Sequence, residues 1–136
     1  MTREEREGFL AELHVGVLAI DEPGRGPLLS PIWYVYEQGE VLVNIDRDSV
    51  KAELVTAARR ASMMVQTEAA PYKYATVEGP ARLTPGWHDH LAMAIRYLGP
   101  ELGRWYADNN PETGGSVTLH LVPEHWRTYD FNKLFA

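Results

Sequence analysis

Between Leu28 and Ile45 the chain reads LLSPIWYVYEQGEVLVNI, two alternating apolar runs separated by Gln38-Gly39. Runs of this length and period read as strands, and a two-residue turn containing glycine makes them antiparallel neighbours. In the first, Leu28 to Glu37, the period of two places Ile32, Tyr34 and Tyr36 on one face and Pro31, Trp33 and Val35 on the other. Pro31 has no N–H to give to a ladder, so this strand lies at an edge or carries a bulge. The hairpin commits the chain to an antiparallel sheet.

Further strands are predicted on both sides of it. His14 to Ile20 contains VGVLAI, short and rich in β-branched residues, and DEPGRGP after it is an exposed loop. Ala61 to Glu68, Tyr72 to Leu83, Ser116 to Val122 and His125 to Asp130 complete six to seven mostly antiparallel strands. Helices are predicted where the period changes. Thr2 and Glu5 form a capping box ahead of Phe9, Leu10 and Leu13. Ser49 opens a helix to about Arg59 with Val50 and Leu54 facing the core, so a helix follows the third strand. Trp87 to Leu98, with Leu91, Ala94, Ile95 and Leu98 in register, and Glu101 to about Ala107 form a helical pair before the last strands, broken by Gly99-Pro100. Closing such a sheet removes its edges, so the expected fold class is mainly β, a β-barrel decorated by helices. At 136 residues one domain spanning 1–136 is expected.

Composition narrows the chemistry. The net charge is −6 and the pI near 5.3, which argues against nucleic-acid and anionic-membrane partners because those need a basic face. There is no cysteine, so disulfides, thiolate catalysis and thiolate-bound metal are excluded. No apolar run approaches spanning length, and the charged start MTREEREGFL has no apolar signal region, so a soluble cytoplasmic location is expected.

The stretch NIDRDSVK, Asn44 to Lys51, joins the end of a strand to a helix start. Free N–H groups and the positive end of the helix dipole favour an anion there. Arg47 can grip a phosphate bidentately, Lys51 supplies a point charge, and Ser49 either caps the helix or donates to the ligand. The alternative is an ordinary cap between two solvated cations. No G-x-G-x-x-G, P-loop, G-x-S-x-G or H-E-x-x-H occurs. His88 and His90 are two apart and share no helix face, so they read as surface residues and no metal site is expected. His120 reads as facing outward. Trp33, Tyr72 and Tyr74 are either core or the wall of a planar-ligand site.

Four pieces occur in one order: PIWYVYEQGEVLVNIDRDSVKAELV, ARRASMMVQTEAAPYKYATVEGPARL, RYLG and PEHWRTYDFNKL. Together they resemble the pyridoxamine 5′-phosphate oxidase-like, FMN-binding split β-barrel superfamily, and within it the flavin/deazaflavin oxidoreductases of actinobacteria, many of which use coenzyme F420. The resemblance covers about Phe9 to Leu134. It implies a homodimer with a cofactor site at each interface, phosphate on Arg47, Ser49 and Lys51, and the ring along Ser30, Pro31, Ile32 and Trp33. Tyr72, Lys73 and Tyr74 would approach from the fifth strand. Relatives often read K-A-x-N-L after the lysine, where this chain has Leu54 in place of Asn, and Ala58-Arg59 replaces Asp-Pro. The short tail DFNKLFA has no counterpart of the arginine-containing substrate segment of true pyridoxamine-phosphate oxidases, which disfavours vitamin B6 chemistry.

The resemblance implies an oxidoreductase that passes a hydride from F420, or from FMN, to a small conjugated or heteroaromatic acceptor. Tyr72 and Tyr74 are candidate proton donors, with solvent the alternative. Arg25, Arg59 and Arg60 are candidates for a groove along the polyglutamate tail of F420. Two other readings are an FMN enzyme of the same fold and a non-enzymatic carrier of flavin, haem or a similar ring, with His14 the histidine to consider for haem.

Overall fold

The computed structural model describes residues 1–135. In order they form α1 (Arg3–Ala11), β1 (Gly16–Ile20), β2 (Leu28–Ile32), β3 (Val35–Glu37), β4 (Glu40–Asp46), α2 (Val50–Ala58), β5 (Arg60–Gln66), β6 (Lys73–Pro85), α3 (His90–Leu98), α4 (Pro100–Asn109), β7 (Ser116–Leu121) and β8 (His125–Asp130), with a short 3-10 turn at Phe131–Leu134. All strand pairs are antiparallel, ordered β2-β1-β5-β6-β7-β4-β3, and β8 pairs with β6. The mainly β split barrel read from the sequence is the observed fold.

The split lies within the first hairpin strand. Leu28 to Glu37 is two strands rather than one, because β2 pairs only with β1 and β3 only with β4, at opposite ends of the strand order. The sheet curls until its two ends meet through Trp33 and Tyr34, which belong to neither ladder. Pro31 sits on the edge strand β2, where its missing N–H leaves no gap in a central ladder. Alternation survives the break: Ile32 and Tyr34 are buried and Tyr36 packs on the core.

β6 runs 13 residues and serves two neighbours on one side. Its first half pairs with β8 and its second half with β7. Where the chain passes between them, the Val122 N–H donates to the Pro80 carbonyl at 3.0 Å and the Glu124 N–H to the Glu78 carbonyl at 2.8 Å. A side chain at Gly79 would strike the Val122 carbonyl oxygen, so this crossing requires glycine.

The helices keep their expected places with shifted faces. α1 has the capping box but stops at Ala11, so Phe9 and Leu10 are buried and Leu13 lies beyond the helix, exposed. α2 begins one residue after its Ser49 cap and turns Ala52 and Val55 to the barrel, leaving Val50 outside. α3 starts at His90 and not at Trp87, because the 86–88 segment is occupied in bonds to neighbouring strands and Asp89 is the N-cap. Its buried face is Met93 and Ala94, with Leu91 exposed. No helix among the described residues is long and apolar enough to cross a membrane.

Candidate functional site

The anion-directed helix start and the barrel split fall on the same side of the molecule. Ser49 caps α2: its Oγ accepts the Ala52 N–H at 3.2 Å and donates its own proton to the Asp46 carbonyl at 2.6 Å. The cap directs Lys51 toward β2, where Nζ donates to Ser30 Oγ at 3.2 Å. No carboxylate among the described residues comes within ion-pairing distance of Lys51.

Lys51 opens onto a cavity of about 350 Å3. Val15, Pro31, Ile32, Val43 and Met93 supply its apolar surface, while Trp33, Trp87, His90 and Tyr106 supply rings, and Asn44 and Lys51 complete the lining. No Asp or Glu lines it, although the protein is acidic as a whole.

The rings form one connected wall. Trp33 stacks on Tyr97 with centroids 5.2 Å apart and planes 4° from parallel, and Tyr106 tilts against its other neighbour side at 5.2 Å. His90 lies 6.2 Å from Tyr106 and 4.4 Å from Trp87. Tyr97, Trp87 and His90 are each held by bonds to backbone. The Tyr97 hydroxyl accepts the Tyr34 N–H at 3.0 Å and donates to the His14 carbonyl at 2.6 Å, with the Tyr34 carbonyl at 3.0 Å. One hydroxyl therefore satisfies backbone groups that the split leaves without a ladder. Burial pushes the pKa of both Tyr97 and Tyr34 upward, keeping both phenols protonated as donors. Trp87 Nε1 donates to the Ile45 carbonyl at 2.8 Å, and its N–H donates to Glu112 at 3.1 Å. The Asn44 amide is consumed at both ends by the backbone of His88, at 2.8 and 2.9 Å. His90 Nε2 donates to the Asn110 carbonyl at 2.6 Å.

Of the residues singled out from sequence, Pro31, Ile32, Trp33 and Lys51 line this cavity and Ser30 touches Lys51. Arg47 does not line it; it is exposed, with Nη2 donating to the Gly114 carbonyl at 3.2 Å. Tyr72, Lys73 and Tyr74 do not line it. Tyr74 stacks on Tyr129 and Tyr72 meets the edge of Phe131, on β6 and its approach. Arg60 is engaged by Glu78 and Glu124, Arg25 by Glu22, and Arg59 ends α2 in a left-handed conformation. His14 Nε2 is bound to the Phe9 carbonyl at 3.0 Å and does not face the cavity.

His90 corrects the sequence reading: it is a half-buried cavity residue, not a surface histidine. Its i, i+2 spacing from His88 rested on a helix beginning at Trp87; with the start moved to His90, the two residues are no longer on one helix. Tyr97 and Tyr106 also escaped the sequence reading. The only available signal was their spacing of nine along two helices joined at Gly99, which says nothing about a distant Trp33. Among the described residues no cluster of three His, Asp or Glu could hold a metal.

Comparison with solved structures finds the same fold repeatedly. A conserved hypothetical protein of Mycobacterium tuberculosis superposes with a TM-score of 0.80 at 22% identity, covering 100% of this chain and 89% of the other. An F420 reductase gives 0.69 at 19%, covering 89% and 94%. A FAD-binding protein of Mesorhizobium loti gives 0.67 at 19%, covering 94% of each. No curated protein sequence matches. The family model described as pyridoxamine 5′-phosphate oxidase matches residues 2–130, so the chain belongs to the pyridoxamine 5′-phosphate oxidase-like split-barrel family.

Proposed function

We propose that this protein is an oxidoreductase that binds a flavin-type cofactor, F420 in preference to FMN, and serves a small conjugated or heteroaromatic acceptor. The observation that carries the reading is Lys51: an ammonium without a carboxylate partner, lining an acid-free cavity beside the ring of Trp33. That donor set fits a planar ring bearing a phosphate. The similarity to an F420 reductase and to a FAD-binding protein supports the same class.

On this reading Lys51, with Arg47, holds the phosphate, and Ser49 presents the helix start without donating. Ser30, Pro31, Ile32 and Trp33 lie along the ring. A bound deazaflavin or flavin supplies the hydride chemistry, while this chain orients the ring and excludes water from one face of it. Tyr72, Lys73 and Tyr74 reach the ring only from a second subunit, so the working form is a homodimer. The outward face of β2, β1, β5, β6 and β8 supports that arrangement. One ladder runs from Pro31 through Val17, Met64 and Thr76 to Arg127, and Val15, Leu29, Tyr74 and Tyr129 are 57%, 64%, 38% and 39% exposed around it. Exposed apolar and aromatic side chains grouped on one sheet face suit an interface, and Val15 and Pro31 at its margin line the cavity.

Binding titrations of F420 and FMN against wild type and Lys51→Ala test the assignment. A charge-assisted hydrogen bond is worth about 1.5–3 kcal/mol, so the variant should bind about 10- to 100-fold more weakly. Unchanged affinity for both ligands defeats it. A protein that binds stoichiometrically yet oxidises no reduced cofactor with any acceptor is a carrier, and one purified with a tightly held yellow flavin is an FMN protein.

A further inference from the structure

The lining of the cavity leaves few polar groups for a ligand. The Asn44 amide and the Trp87 indole N–H are already bonded to backbone, and Lys51 is the cation assigned above. Among the described residues that line it, the Tyr106 hydroxyl, the Trp33 indole N–H and one ring nitrogen of His90 carry no other bond. His90 is special among them because its second nitrogen is defined by its first. A carbonyl oxygen only accepts, so the 2.6 Å contact with Asn110 makes Nε2 the protonated nitrogen. Nδ1 is then a free acceptor in the neutral ring and a free donor in the charged one.

We propose, resting on the cofactor reading above, that His90 is a ligand-binding and specificity-determining residue: its Nδ1 hydrogen-bonds an ionisable oxygen on the ring that Trp33 packs against. The cavity thus takes a planar molecule with two anionic positions, a phosphate at Lys51 and a ring oxygen at His90. No acid lines the cavity to compete for either nitrogen. The F420 ring carries a phenolic hydroxyl of this kind and the flavin ring does not, so His90 discriminates between the two.

The groups around His90 leave Nδ1 open to a ligand. On its own element Asp89 is occupied in capping the Ala92 N–H at 3.3 Å. Glu112, from the loop before β7, accepts the Trp87 N–H at 3.1 Å. From α4 comes Tyr106, from the residue that ends it the Asn110 carbonyl, and from α2 across the cavity Lys51. With Nε2 given to Asn110, Nδ1 can accept from a phenol, and in the charged ring it can donate to a phenolate.

The test is fluorescence titration of F420 and FMN at one pH, using wild type, Lys51→Ala and two variants at His90. His90→Gln can still donate to Asn110 but lacks the second ring nitrogen; His90→Phe keeps the ring wall alone. Thermal melts establish that each variant is folded. Both His90 variants should bind F420 about 10- to 100-fold more weakly than wild type, as expected for one charge-assisted bond. FMN affinity should change less than about threefold on the same scale. His90→Gln with wild-type F420 affinity overturns the proposal, as does an equal loss for both ligands, which would make His90 only part of the wall. Lys51→Ala separates the two readings: if it weakens both ligands while the His90 variants weaken neither, the cofactor site stands and the role of His90 falls. If neither ligand binds wild type, both fall.

Discussion

Replacing Tyr97 by Phe removes one oxygen from the protein and tests how the barrel is closed. The ring remains to stack on Trp33, so the aromatic wall is preserved. What disappears is the acceptor for the Tyr34 N–H at 3.0 Å and the donor to the His14 carbonyl at 2.6 Å. Tyr34 is fully buried, and at the split no neighbouring strand offers a substitute. An unsatisfied buried backbone group costs about 1–3 kcal/mol. Tyr97 itself is only half-buried, so water can recover part of the loss for one of the two groups, and the net destabilisation should be about 2–4 kcal/mol. With a urea slope of about 1–3 kcal/mol/M for a protein of this size, the unfolding midpoint should fall by about 1–2 M. Circular dichroism and tryptophan fluorescence, followed together, measure it. Tyr97→Leu adds the loss of the stacked ring and should unfold earlier still. A Tyr97→Phe unfolding free energy within about 0.5 kcal/mol of wild type on the same scale would refute the idea that this hydroxyl closes the split.

Gly79→Ala forces a methyl into the Val122 carbonyl where β7 hands over to β8, and because backbone must move the cost should be at least about 1–3 kcal/mol; the urea midpoint of the variant checks it. Glu5 is held down at about 2 from an ordinary 4.5, first by the Thr2 N–H and then by Lys133 and the Thr2 hydroxyl. A folded value below the unfolded one means that its stabilisation is complete above about pH 4.5 and fades as the pH falls toward about 2. The stability gap between wild type and Glu5→Gln, from unfolding curves at several pH values, should therefore close across that window; a gap that stays constant would show that Glu5 is not the titrating group.

Much of the barrel was legible because strands announce themselves locally. LLSPIWYVY and EVLVNI alternate with period two, Gln38-Gly39 adopts the two positive φ angles such a hairpin needs, and Pro31 marked an edge or a bulge, of which the structure shows the edge. Helix caps were legible for the same reason: Thr2 and Ser49 act within three residues of themselves. Helix faces were less so. Val50 and Leu91 satisfy a helical period and still point outward, because which stripe is buried depends on where the helix starts and which way it lies on the sheet.

The site divides along the same line. Lys51 beside a helix start and Trp33 beside an edge proline are properties of nearby residues, and both line the cavity. The break at Trp33 and Tyr34, the hydroxyl of Tyr97 that satisfies it, and the arrival of His90 and Tyr106 beside Trp33 join residues more than 50 positions apart. Local propensity alone determined most of the strands, their turns and the Ser49-capped helix start. Only the tertiary structure decided where the sheet opens and which rings cover the opening, because the energy that selects them lies in long-range packing and in backbone hydrogen bonds that no neighbour in sequence can make.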